Sequence, residues 1–269
     1  MPIILLFCFI QGFTEFLPIS SQGHLIVFNN FFPITDFTNL SIHELTIIAH
    51  SGSLLAIMIF YSQLILGLIR SFRFLDRPDI DKNSYLLINL FISTLPIVII
   101  GYLFSKFFDY HNNHIMLIIA LSSIIFGILL LLADGFSLRI KGSNSLNYRM
   151  SFYIGLFQCT SLIPGVSRSG SVLTLMRFLG FQRRFSVFYS NILSMPVIFA
   201  ATTYLAIKNM DVLIFSNFLH LSSLSIFFFS FIFSYLFILF FVSWVKRFSF
   251  LIFILYRFAF GLGILLFFY

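Results

Sequence analysis

An apolar run of about 20 residues is long enough to cross the hydrocarbon core of a bilayer. This chain has six such runs, at roughly residues 44–66, 84–104, 113–134, 184–207, 218–244 and 249–269. A 269-residue chain that is 59% hydrophobic and 9% charged has too few polar residues to clothe a soluble domain, and its mean hydropathy of +1.03 agrees. The expected class is an all-α polytopic membrane protein. In that class the net charge of +7 reports topology, so it carries no nucleic-acid signal. Cys8 and Cys159 lie in apolar runs and read as free core thiols. The opening "MPIILLFCFI" lacks both a basic stretch and a small-residue cleavage site, and reads as retained.

Two further apolar segments are interrupted. Residues 1–31 are broken at "TEFLPISSQG", and 150–180 at "SLIPGVSRSG". Each half is about 10–12 residues, half a bilayer, which predicts re-entrant helical hairpins. Twelve cations gather in four loops: Arg70, Arg73, Arg77 and Lys82; Arg139, Lys141 and Arg149; Arg177, Arg183 and Arg184; Lys246 and Arg247. Placing all of them in the cytoplasm leaves Lys106 and Lys208 outside and puts both termini outside. With three spans after each hairpin, the second half is then inverted relative to the first. "TEFLPISS" (14–21) aligns without gaps to "TSLIPGVS" (160–167). The prediction is one membrane domain, 1–269: repeat 1 over about 1–134, a cytoplasmic loop at 135–149, and repeat 2 over about 150–269.

Pro18 and Pro164 should stop the entering half-helices. Ser20 or Ser21, and Ser167 or Ser169, should cap the returning ones. Two helix N-termini aimed at one central spot make an anion site, most naturally for phosphate. Gly23, Gly165 and Gly170 would let backbone approach the ligand. Arg168 matches phosphate bidentately. Ser21 and His24, three apart on one helical face, are the makings of an activated nucleophile. Glu15 is the one acid placed deep in the membrane, with Gln11 a turn before it.

"QGFTEFLPISSQGH" and "PGVSRSG" resemble the two signature motifs of the undecaprenyl-diphosphate phosphatase family that confers bacitracin resistance. The likeness extends to motif spacing and hydropathy over essentially the whole chain. It implies hydrolysis of undecaprenyl diphosphate to the monophosphate and phosphate, recycling the carrier lipid for peptidoglycan synthesis, in the bacterial inner membrane. It implies catalytic roles for Ser21, His24 and Glu15, substrate binding by Arg168, Ser167, Ser169, Ser20 and Gly165, and a divalent cation, Mg²⁺ or Ca²⁺, on Glu15 and Gln11. Expected partners are the lipid substrate and the membrane, with a homodimer left open. Gln11 stands where a glutamate is common, and Val172 where threonine is usual.

As hypotheses, the terminal phosphorus is attacked by Ser21 or by a water in its place, with His24 moving the proton. An inverted-repeat transporter or lipid flippase for a phosphorylated substrate is the rival reading; it has less need of Ser21 and His24 on one face. His50 is expected to pack within its span. Arg257 is expected to snorkel or pair within the bundle. "HNNH" (111–114) is expected to be a solvated turn.

Overall fold

The computed structural model describes residues 2–38, 40–78, 80–107, 114–138, 140–208 and 221–269. Every regular element among them is helical; Lys141 and Phe181 add one isolated parallel bridge. Arg139 and most of "HNNH" lie outside the described residues.

Six helices have the length and apolarity to cross a membrane. They are α3 (Ile42–Phe60), α5 (Lys82–Phe107), α6 (Ile115–Phe136), α9 (Arg183–Lys208), α10 (Leu221–Trp244) and α11 (Leu251–Phe268). The run expected at 44–66 is not continuous. Its helix ends at Phe60, Tyr61 leaves helical geometry at φ −104°, ψ 24°, and a separate α4 (Ser62–Ser71) follows. Hydropathy continues through this break because both pieces are apolar, so composition alone does not reveal it.

Both interrupted segments fold as pairs of short helices. α1 (Pro2–Glu15) is followed by a break at 16–20 and by α2 (Ser21–Phe31). α7 (Tyr148–Gln158) passes through a 3₁₀ turn, Cys159–Leu162, and a second break before α8 (Arg168–Phe178). At 1.5 Å per residue these helices are about 16–21 Å long, short of a hydrocarbon core about 30 Å thick. The first break is buried rather than looped out. Phe16, Leu17 and Ile19 are at most 1% exposed. Leu17 and Ile19 pack with Leu130, Leu173, Phe241 and Phe253 from four other helices.

The spans pack pairwise, α3 against α10 and α9, and α6 against α11. α1 lies on α10, and α7 lies on α5. Small residues permit these approaches, as in membrane bundles generally. A Cβ at Gly155 of α7 would meet Ser93 O of α5 at 2.5 Å.

Arg177 is not the loop cation that charge grouping suggests. It is fully buried in α8, and its Nε donates to Asp134 Oδ1 of α6 at 2.8 Å. Arg183 Nη2 holds Asp134 Oδ2 at 2.7 Å. This ionic cluster ties α6 to α8 and the start of α9.

Helix contact through Gly155 predicts a specific sensitivity. Gly155→Ala should cost about 1–3 kcal/mol through overpacking against backbone that has no rotamer to yield. Gly263→Ala, which meets nothing within 4 Å, should leave the thermal unfolding midpoint in detergent unchanged or slightly raised. Equal midpoints for both variants would refute the packing argument.

Candidate active site

The two breaks meet. Ser20 sits in extended geometry (φ −88°, ψ 111°) and its Oγ accepts from Gly23 N at 3.2 Å. Ser167 (φ −61°, ψ 132°) does the same for Gly170 N at 3.1 Å. Ser20 and Ser167 are therefore the caps, each satisfying an amide that a helix start leaves unpaired. The gapless alignment had matched Ser21 with Ser167. The caps instead match Ser20 with Ser167, so the second break is one residue longer after its proline. The additional residue is accommodated where Gly165 turns into the left-handed region at φ +91°. This register places Ser21 and Arg168 at equivalent positions, each the first residue of a returning helix.

The side of Gly165 that a Cβ would occupy faces α6. A Cβ there would meet Ser122 Oγ at 2.1 Å and the Ile119 backbone at 2.7 Å, so its smallness lets the second break press onto α6. A Cβ at Gly23 would lie 3.3 Å from Gly165 Cα, so these two glycines let the breaks approach each other.

Hydrogen bonds stitch the breaks together across about 150 residues of chain. Ser169 Oγ donates to Leu17 O at 2.5 Å, Ser167 Oγ reaches the same carbonyl at 3.3 Å, and the two hydroxyls pair at 2.9 Å. The hydroxyls of Ser20, Ser167 and Ser169, expected to bind substrate, are engaged in this framework.

Glu15, the last residue of α1 and 7% exposed, is the hub. Its Oε1 accepts from Arg168 Nη2 at 3.2 Å, and the same nitrogen donates to Glu15 O at 3.3 Å. Its Oε2 accepts from Ser21 Oγ at 2.9 Å and from Gln11 Nε2 at 3.2 Å. Arg168 Nη1 and Gln11 Oε1 are buried without a hydrogen-bond partner. One is a donor that favours an anion and the other an acceptor that favours a cation or a donor.

His50, read from sequence as a packing residue, belongs to this cluster. Its Nδ1 lies 2.8 Å from Thr46 O, which can only accept, so Nδ1 carries a proton. Its Nε2 faces Glu15 Oε2 at 3.4 Å. A histidine three residues before Ser53 on an apolar span was the available signal: Ser53 Oγ lies 3.4 Å from Gln11 Nε2 and takes Ser234 Oγ at 2.8 Å.

His24 departs from the expected pairing with Ser21. Its Nδ1 donates to Ser20 O at 2.6 Å and its Nε2 meets Tyr256 Oη at 2.9 Å. The ring stacks on Phe260 at 3.9 Å. Capping brings the Ser20 carbonyl within reach of the ring and turns the imidazole toward α11. The hydroxyl of Ser21 finds its acceptor on Glu15 instead. Val172 is fully buried in an apolar cluster with Met176 and Leu90.

A carboxylate, a hydroxyl, an amide and a guanidinium gathered across two broken helices, inside a six-span helical bundle, define a polytopic membrane protein with a polar, mixed-charge centre. The chain belongs to the family of the bacitracin resistance protein BacA, whose family model matches residues 4–263. It is 34% identical over 267 residues to an undecaprenyl-diphosphatase of Leptospira borgpetersenii, an alignment covering 96% of this chain and 94% of that one. It is 37% identical over 257 residues to an undecaprenyl-diphosphatase of Pelagibacter ubique, covering 94% and 92%. The counterpart in Aliivibrio salmonicida is 30% identical over 259 residues, covering 95% and 94%.

Since Ser20, and not Ser21, caps α2, Ser20→Ala should cost about 0.5–2 kcal/mol. Ser21→Ala should cost clearly less. Thermal unfolding in detergent checks this, and a reversed order would refute the assignment.

Proposed function

We propose that this chain is a membrane phosphatase that hydrolyses undecaprenyl diphosphate to undecaprenyl phosphate and inorganic phosphate, returning the carrier lipid to peptidoglycan synthesis and conferring bacitracin resistance. The observation that carries the reading at this site is the Glu15–Ser21–Arg168 cluster, with one guanidinium nitrogen buried and unpartnered.

In this reading the diphosphate rests on Arg168 and on the first-turn amides of α2 and α8, which have no intrahelical acceptor. Arg168 Nη1 donates to a phosphate oxygen and offsets charge developing there. Ser21 Oγ, hydrogen-bonded to Glu15 Oε2, passes its proton to that carboxylate as it attacks the terminal phosphorus. The bond from that phosphorus to the bridging oxygen breaks and undecaprenyl phosphate leaves. Water then hydrolyses the phosphoserine. A water on the same carboxylate would instead attack directly, in one displacement. His24 exchanges a proton at Nε2, since Nδ1 is held by Ser20 O. His50 holds the Glu15 carboxylate from its other side.

The residues present fit a divalent cation of the Mg²⁺ or Ca²⁺ type. Gln11 Oε1 is buried and unpartnered, one helical turn from the Glu15 carboxylate. No group of three or more histidine, cysteine or acidic side chains placed to hold a metal ion occurs among the described residues. Two hard oxygens completed by phosphate oxygens and water is a common Mg²⁺ arrangement. When bound, the cation would supply charge neutralisation across the phosphates.

The same reading takes the two broken segments as re-entrant hairpins of an inverted repeat within one membrane domain, 1–134 and 150–269 joined by a cytoplasmic loop, with both termini outside the bacterial inner membrane. Reciprocal packing supports it. The first leg of each hairpin lies on the second span of the other half, α1 on α10 and α7 on α5. The first span of each half also packs on the second span of the other, α3 on α10 and α9 on α5. A transporter or flippase would use Arg168 and two helix N-termini, but it has no use for a serine hydroxyl poised on a carboxylate.

Detergent-solubilised protein should release phosphate from a prenyl diphosphate, where no gradient exists to drive transport. Glu15→Gln and Arg168→Ala should each lower kcat/KM by about 10²–10³-fold. Labelled substrate should leave phosphate on Ser21, and Ser21→Ala should lose turnover to a similar degree. Full turnover by Ser21→Ala would assign the attack to water. Absence of phosphate release by the folded wild type would overturn the function.

A further inference from the structure

Arg257 is 2% exposed in α11, and each of its four side-chain hydrogen bonds goes to a backbone carbonyl. Its Nε donates to Ser123 O at 3.1 Å, and its Nη2 to Gly165 O at 3.1 Å and Ser122 O at 3.5 Å. Its Nη1 donates to Pro18 O at 3.1 Å. Pro18 belongs to the first break and Gly165 to the second. One planar guanidinium therefore bridges both.

We infer that Arg257 is a positioning residue for the diphosphate cradle, which it orients by binding the carbonyls of both breaks; this rests on the phosphatase reading above. A broken helix offers a ligand both poles of its peptide groups: amides from the returning helix and carbonyls from the turn. An anion needs the first and is repelled by the second. Here four carbonyls of the breaks are held by protein donors. Leu17 O is taken by Ser169 Oγ at 2.5 Å and Pro164 O by Ser122 Oγ at 2.7 Å. Pro18 O and Gly165 O are taken by Arg257. The first-turn amides of α2 and α8 other than Gly23 N and Gly170 N, which Ser20 and Ser167 cap, are left for the phosphates. The fork geometry of the guanidinium also sets the spacing between the two breaks, which a lysine ammonium cannot reproduce from a single point. No carboxylate is among the hydrogen-bond partners of Arg257.

The test measures both KM for a prenyl diphosphate and the inhibition constant of inorganic diphosphate, with thermal unfolding as the control for folding. Arg257→Lys should raise both constants about tenfold while kcat falls less, and Arg257→Gln should raise them further. Ser122→Ala frees Pro164 O without touching Arg257 and should raise both constants about threefold. If Arg257→Gln does not fold, the milder Arg257→Lys decides for the arginine, and Ser122→Ala tests the masking of carbonyls that the same cradle requires. A folded Arg257→Lys or Ser122→Ala protein with wild-type constants would overturn the inference. Protection of the wild type against unfolding by inorganic diphosphate, lost in Arg257→Lys, would sustain the cradle even if phosphate release failed. Active wild type with no dependence on Arg257 would sink the inference and leave the phosphatase reading standing.

Discussion

The Glu15–Arg168 pair joins the last residue of one short helix to the first residue of another 153 positions away. Either charge alone, buried at this depth, would lack compensation, and an uncompensated buried charge is costly. Each break thus supplies the partner that lets the other carry a charge. The hydroxyl bridge from Ser169 to Leu17 O and the guanidinium bridge through Arg257 then fix where the two helix starts lie. Removing one partner should be worse than replacing both by apolar residues, since the survivor would be orphaned.

The same accounting explains the form of the breaks. A turn inside an apolar bundle must satisfy its own amides and carbonyls, because no water is at hand. Ser20 and Ser167 dispose of one amide each, using the same Ser-x-x-Gly spacing. Ser122, Ser169 and Arg257 dispose of carbonyls. The one-residue difference in length is absorbed at Gly165, the one residue of either break with positive φ, where Ser122 and Ile119 leave no volume for a side chain.

The spans were legible because length and apolarity determine them, and the breaks because proline, serine and glycine interrupt otherwise uniform hydropathy. Glu15, Ser21 and Arg168 stood out as polar residues in apolar surroundings. Their convergence followed from treating the two segments as equivalent. What could not be read was anything decided by three-dimensional contact. The caps are one register away from the gapless alignment, because loop length is not visible in a match of eight residues. The acceptor of Ser21 is Glu15 rather than His24, because the Ser20 carbonyl draws the imidazole toward Tyr256. His50, Ser122 and Arg257 gain their roles through partners 35 to 239 residues distant; beyond the nearness of His50 to Ser53 on an apolar span, no local pattern marks them. Tyr61 breaks a helix within an unbroken apolar run.

Charge balance links these contacts to the chemistry. Among the residues joined at the two breaks, Glu15 is the one carboxylate, and it faces Arg168 and His50. Arg257 adds a positive charge with no acidic partner among its contacts. A glutamate at position 11 would have offset part of that excess; Gln11 keeps an oxygen there without a charge. A centre that carries surplus positive charge in a medium of low dielectric is stable only with an anion to complete it, and field strength in such a medium is large. That excess suits an anionic ligand, and the prenyl diphosphate of the proposed reading is one such anion.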